Sequence, residues 1–302
     1  MPNIDFVGKR NFFIYLSLAL ILFSVIVIFV KGFNFGIDFS GGSEIIVSFD
    51  KSYSIDELRN TLQTIDPDYT TAKIIQTNPG GGTSDRFFYI ITVSDSFPTL
   101  EEKQMFINSL EESFSDSSLN IEQFNDVSGY AAREIRSYAW YAVITALIVL
   151  LVYITIRFQF SYGVGAILSL AHDVVITLGF YSLFGIEMNL TAVAAFLTLA
   201  GYSLNDTIVV YDRIRENRTK NRGMDIEGVT NKSINEVIVR SLNTSLTTFI
   251  VAFMMFLLGG RSIASFAFGL TVGVIIGTYS SLYIASPVVI GMVKRRKKTQ
   301  KA

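Results

Sequence analysis

Six separate runs of about twenty mostly apolar residues punctuate this 302-residue chain, and they leave few architectures open to it. They cover Phe12–Val30, Tyr138–Ile156, Gly163–Phe184, Asn189–Val210, Ser241–Leu258 and Ile263–Pro287. At about 1.5 Å of rise per residue, a run of this length crosses a hydrocarbon core about 30 Å thick. Helices satisfy every backbone polar group inside such a core, so the runs predict six transmembrane helices. Half of the residues are hydrophobic, which fits a bilayer better than water as the solvent.

The first run follows Lys9 and Arg10 and superficially resembles a secretory signal. It exceeds the roughly 7–15 apolar residues of a signal and continues into Lys31-Gly32-Phe33-Asn34 without a small-residue cleavage pattern. It reads as an uncleaved span, TM1, with residues 1–30 forming the N-terminus and that helix.

Basic residues set the orientation, because cytoplasmic segments retain them. Lys9, Arg10, Arg157, the connection at 211–240 with Arg213, Arg215, Arg218, Lys220, Arg222 and Lys232, and the tail at 288–302 with Lys294, Arg295, Arg296, Lys297, Lys298 and Lys301 fall on one side. Only Lys31, Arg133, Arg136 and Arg261 flank the other. Both termini are therefore expected in the cytoplasm, with TM2 to TM6 spanning 138–287.

Residues 31–137 then lie outside the cytoplasm and read as a folded α+β domain. Ser43–Phe49 alternates as a strand, and Ser54–Ile65 opens on a Ser-x-x-Glu capping box. Thr70–Thr77 and Arg86–Val93 read as strands around an Asn78-Pro79-Gly80-Gly81-Gly82 turn. A second helix at Thr99–Phe114 and a strand at Leu119–Phe124 complete a βαββαβ, ferredoxin-like order. No internal repeat is visible, so a pseudo-symmetric transporter built from this chain would need a second chain for its other half.

Several function classes lack material. A net charge of −1, with basic residues in short segments, gives no face for nucleic acid. With no cysteine and one histidine, His172, the chain offers no disulfide, thiolate nucleophile or zinc site, and no cofactor is expected. The glycines of Phe35-Gly36-Ile37-Asp38-Phe39-Ser40-Gly41-Gly42 build a turn after TM1, with Asp38 able to bond free amides. They match no nucleotide fingerprint, which favours an energy source other than nucleotide hydrolysis.

Ionisable groups within the spans are costly and need a reason. Asp206 lies on the fourth span, Arg240 opens the fifth, and Asp173 sits mid-depth in the third. Counting inward from the outer ends places Asp206 and Arg240 at nearly the same depth. One permanent and one switchable charge could couple proton passage to movement, whereas snorkelling of Arg240 and local bonding of Asp206 is the plainer account. Asp173 needs a polar partner, either as a packing bond or in a proton path. His172 reads first as a packing or lipid-facing residue, with a relay as its alternative. Ser203, Asn205, Thr207, Thr244 and Thr247, with Asn243, Ser245 and Thr248, could join helices or line a hydrated path.

Four segments carry a resemblance: Phe35–Gly42, Ala171-His172-Asp173, Ser203–Asn217 and Arg240–Thr248. Together with the topology they resemble the SecF family of the resistance-nodulation-division superfamily across the whole chain. Tyr211 is a mild departure, since many members carry Phe there. The resemblance implies a non-enzymatic subunit of a bacterial inner-membrane export complex. Such a subunit pairs with SecD and draws unfolded polypeptides from the SecYEG channel after SecA, using the proton motive force. YajC, YidC and membrane lipid are further implied partners. It also implies that Asp206 and Arg240 serve the proton path with an acid from SecD. Half of a small-molecule or lipid exporter, and a passive scaffold of the translocon, are the competing readings.

Overall fold

The computed structural model describes residues 4–77 and 85–299. The predicted turn Asn78-Pro79-Gly80-Gly81-Gly82 lies outside the described residues. Two compact units emerge, Phe35–Trp140 and the remainder of the chain.

The second of these is a helix bundle. Its helices are α1 (Arg10–Lys31), α4 (Gly129–Arg157, which begins in the other unit), α5 (Phe160–Phe184), α6 (Leu190–Lys220), α7 (Ile226–Leu258), α8 (Arg261–Ser280) and α9 (Ser286–Thr299). With α8 and α9 taken as one nearly continuous rod, six helices among the described residues are long and apolar enough to cross a membrane. The buried centre is made by α5, α6 and α8, which pack on one another, with α1 against α5 and α7 against α6 and α8. Close approach requires small residues, and a Cβ on Gly273 would lie 2.6 Å from the Leu199 side chain across the α6–α8 contact. Outward faces of α1, α4 and α7 expose Leu22, Phe29, Ile148, Val152, Leu246 and Leu257, as a lipid-facing surface would.

Three boundaries differ from the hydropathy reading. The connection at 211–240 is largely helical, because α6 continues to Lys220 and α7 starts at Ile226. Buried Tyr211, Ile214, Val229 and Ile234 keep helical spacing there, Asp225 caps α7 by accepting from the Gly228 amide, and Arg213 bonds Glu236 at 2.6 Å. A helix leaving the bilayer needs only one apolar stripe, so hydropathy falls before helicity does. For the same reason α4 begins well before Tyr138 and α9 continues into the tail as far as Thr299. Within the sixth span, a π-helical turn at Ser281–Ala285 separates α8 from α9. Pro287 follows it, and a ring that cannot donate to the preceding turn accounts for the altered ladder.

The unit Phe35–Trp140 holds strands β1 (Gly42–Phe49), β2 (Lys73–Thr77), β3 (Phe87–Val93) and β4 (Asn120–Val127), and helices α2 (Ile55–Ile65) and α3 (Leu100–Ser113). The sheet order is β2-β3-β1-β4, with every neighbouring pair antiparallel. Only Lys73–Thr77 of the predicted Thr70–Thr77 strand is extended, since Pro67–Thr71 winds into a 3₁₀ helix behind the Asp66 cap. Ser54 and Thr99 cap α2 and α3 in reciprocal boxes with Glu57 and Glu102, and these amide bonds hold both carboxyls below their ordinary pKa. Ile45, Val47, Phe49, Tyr89, Ile91, Leu58, Leu62, Phe106 and Leu110 fill the core between one sheet face and the helices. Before β1, a single helical turn at Ile37–Ser40 ends in Gly41 and Gly42 with φ of 78° and 111°. A side chain on Gly42 would also collide with the Val93 carbonyl, so glycine is required twice over.

Candidate functional site

Helix α6 carries two of the buried polar groups on one face. Ser203 and Asp206 lie three residues apart and turn inward together, each buried, with Thr207 beside them. Asp206 is 2% exposed and its Oδ2 accepts from Ser245 Oγ of α7 at 3.2 Å. Ser245 in turn accepts from Thr278 Oγ1 of α8 at 2.7 Å and from Tyr202 at 2.9 Å. One hydroxyl thereby joins three helices at the carboxylate.

Arg240 lies on α7 at the exposed surface of the chain, five residues before Ser245. No ion pair joins it to Asp206 among the described residues. The permanent cation thus faces outward on the same helix whose Ser245 bonds the carboxylate.

A second cluster surrounds Asp173 of α5, which is fully buried. Ser203 Oγ donates to its Oδ2 at 2.6 Å, Ser280 Oγ of α8 donates to the same oxygen at 2.8 Å, and His172 Nδ1 lies 3.0 Å from Oδ1. The required polar partners exist on two other helices. His172 is 4% exposed and does not face lipid. The two clusters share α6 and α8, because Ser203 neighbours Asp206 along one helix and Ser280 neighbours Thr278 along the other.

Other candidate residues separate from these clusters. Thr207 is buried but donates to the Ser203 carbonyl at 3.1 Å, and Asn205, Thr244 and Thr247 are exposed on the outer surface of the bundle. Thr244 and Thr247 donate to carbonyls of their own helix. Asp38, Gly41 and Gly42 belong to the other unit, in the turn before β1. Sequence reasoning missed Ser169, Tyr202, Thr278 and Ser280. The available signal was a run of small hydroxyl residues, Thr271, Thr278, Ser280 and Ser281, within an otherwise apolar sixth span. Among the described residues no group of three or more His, Cys, Asp or Glu side chains could hold a metal ion.

Comparison with known proteins gives concordant results. Residues 107–295 match the family described as protein export membrane protein SecD/SecF, C-terminal, and residues 26–52 match the SecD/SecF GG motif. Protein translocase subunit SecF of Petrotoga mobilis is 92% identical over the full length of both chains. SecF of Calditerrivibrio nitroreducens is 40% identical over 98% of this chain and 96% of its own. The crystal structure of SecDF from Thermus thermophilus, a translocon-associated membrane protein, superposes with a TM-score of 0.83 at 33% identity. That match covers 97% of this chain but only 39% of the longer SecDF chain. The length and level of these matches, on a six-span chain with buried acids at its centre, place it in the SecF family of protein-export membrane proteins.

Proposed function

We propose that the chain is the SecF subunit of a bacterial protein-export complex, paired with SecD, in which proton passage at Asp206 and Arg240 drives export of unfolded polypeptide. Asp173 is a further member of that path. The observation that carries this reading is a buried, titratable carboxylate linked by one hydroxyl to three helices, one of which also carries an outward-facing permanent cation. Adding a proton to Asp206 removes the charge on which Arg240 acts, so helix positions respond to occupancy. Each charge crossing 100 mV supplies about 2.3 kcal/mol, enough to change a two-state ratio about fifty-fold.

The Thermus relative carries its SecF-like part in one longer SecDF chain, which supports SecD as the supplier of the missing half. Basic residues support cytoplasmic termini and a location in the inner membrane. The sheet order supports a ferredoxin-like periplasmic domain over 31–137. SecYEG and SecA, with YajC and YidC, are the translocon partners consistent with this role.

Asp206→Asn tests the reading in vesicles that hold the complete export machinery. Proton-driven stimulation of export should vanish while assembly with SecD persists. Normal stimulation by that variant would leave only a scaffold.

A further inference from the structure

His172 has an arrangement that a packing histidine does not need. Its Nδ1 is committed to Asp173, while Nε2 is buried and has no hydrogen-bond partner among the described residues. Asp173, for its part, is a fully buried carboxylate with no lysine or arginine in ion-pair range among the described residues. Two serine hydroxyls and one ring nitrogen are what it has. Isolating an anion in that way is costly, and the one neighbour able to supply a compensating positive charge is the imidazole. With Nδ1–H directed at the carboxylate, Nε2 is the basic position left open. A proton taken there from water makes the pair neutral overall, and its return to water leaves one net negative charge.

We propose that His172 and Asp173 form a single proton-binding dyad, an assignment that rests on and deepens the reading of Asp173 as part of the proton path. The dyad is wired to the Asp206 cluster. Both Ser203 and Ser280 donate to Asp173 Oδ2, and they stand three and two residues from Asp206 and Thr278 on the same two helices. When the dyad loses its proton, the bare carboxylate draws these hydroxyls more strongly, which shifts α6 and α8 where they meet Asp206 and Ser245. The π-helical turn begins directly after Ser280 and gives α8 a place to absorb that movement.

The titratable neighbours of the imidazole are few. On α8, the Tyr279 ring centroid lies 5.9 Å from that of the imidazole, and its hydroxyl is engaged by Ser17 and the Phe13 carbonyl of α1. On α6, Asp206 lies one turn beyond Ser203. Asp173 makes the only direct contact to a ring nitrogen among the described residues.

His172 is the one histidine of the chain, so isotope-labelled histidine reports this ring without overlap when the full chain carries a histidine-free tag in lipid nanodiscs. Nuclear magnetic resonance should show the imidazole gaining a second proton as pH falls. Asp173→Asn should lower the midpoint by about one pH unit or more, because the neighbouring anion is gone. Ser280→Ala removes a donor that stabilises the anion and should raise the midpoint. A ring that stays neutral over the whole pH range in which the chain remains folded overturns the dyad. So does a midpoint indifferent to Ser280→Ala, a variant that keeps the test open if Asp173→Asn does not fold. Because the readout requires no export, it stands or falls separately from the translocation result with Asp206→Asn.

Discussion

Replacing Asp173 by leucine removes the acceptor shared by three donors on three sequence segments. Ser203 Oγ at 2.6 Å, Ser280 Oγ at 2.8 Å and His172 Nδ1 at 3.0 Å all lose this carboxylate, while Ser280 keeps the Gly277 carbonyl and Ser169. Hydrogen bonds between membrane helices average about 0.6 kcal/mol and reach about 1.7, so the two that cross between helices here amount to about 1 and at most about 3 kcal/mol. Asn at this position keeps a carbonyl oxygen for the two serines, and it should cost about 1 kcal/mol or less. The assay is reversible unfolding of the purified full chain in mixed micelles, followed by tyrosine and tryptophan fluorescence. A thermodynamic cycle adds the decisive comparison: Ser203→Ala and Ser280→Ala should each destabilise the natural chain, yet cost almost nothing once Asp173 is leucine. A leucine variant as stable as the natural chain would refute the shared-acceptor geometry. Serine effects that simply add to the leucine effect would refute it equally.

Leu62→Ala in the Phe35–Trp140 unit should cost about 2–5 kcal/mol, because the side chain is fully buried between helix and sheet; limited proteolysis should then cut that unit and spare the spans. Glu57 and Glu102 have folded-state pKa values held below the ordinary carboxylate value by the amides and hydroxyls of Ser54 and Thr99. Their caps therefore stabilise at neutral pH and are lost as pH falls from about 4.3 through the folded values. Hydrogen exchange at the first turns of α2 and α3 should rise over that window, and Glu57→Gln with Glu102→Gln should flatten the rise. Gly273→Leu should force α6 and α8 apart at Leu199, at a cost of about 1–3 kcal/mol in the same unfolding assay.

The apolar runs were readable without a structure because a bilayer imposes one length and one form on any segment that crosses it. The capping box at Ser54 was equally plain, since cap chemistry is local to four residues. Helix ends were less so. Hydropathy marks where lipid ends, whereas α6 and α7 continue beyond it on a stripe of buried residues and ion pairs that no window average detects.

Asp173, Asp206 and Arg240 stood out in the sequence because a charge inside a span is rare and expensive. Which hydroxyls serve which acid was decided by tertiary packing alone. Ser203 is three residues from Asp206 in the chain yet donates to Asp173, and Ser280, more than a hundred residues away, donates to the same oxygen. The physical reason is that a span's identity is a property of its own composition, while a buried network depends on helix rotation and close approach. Those are fixed only when small residues such as Gly273 and Gly277 let neighbouring helices meet, and no single segment encodes that by itself.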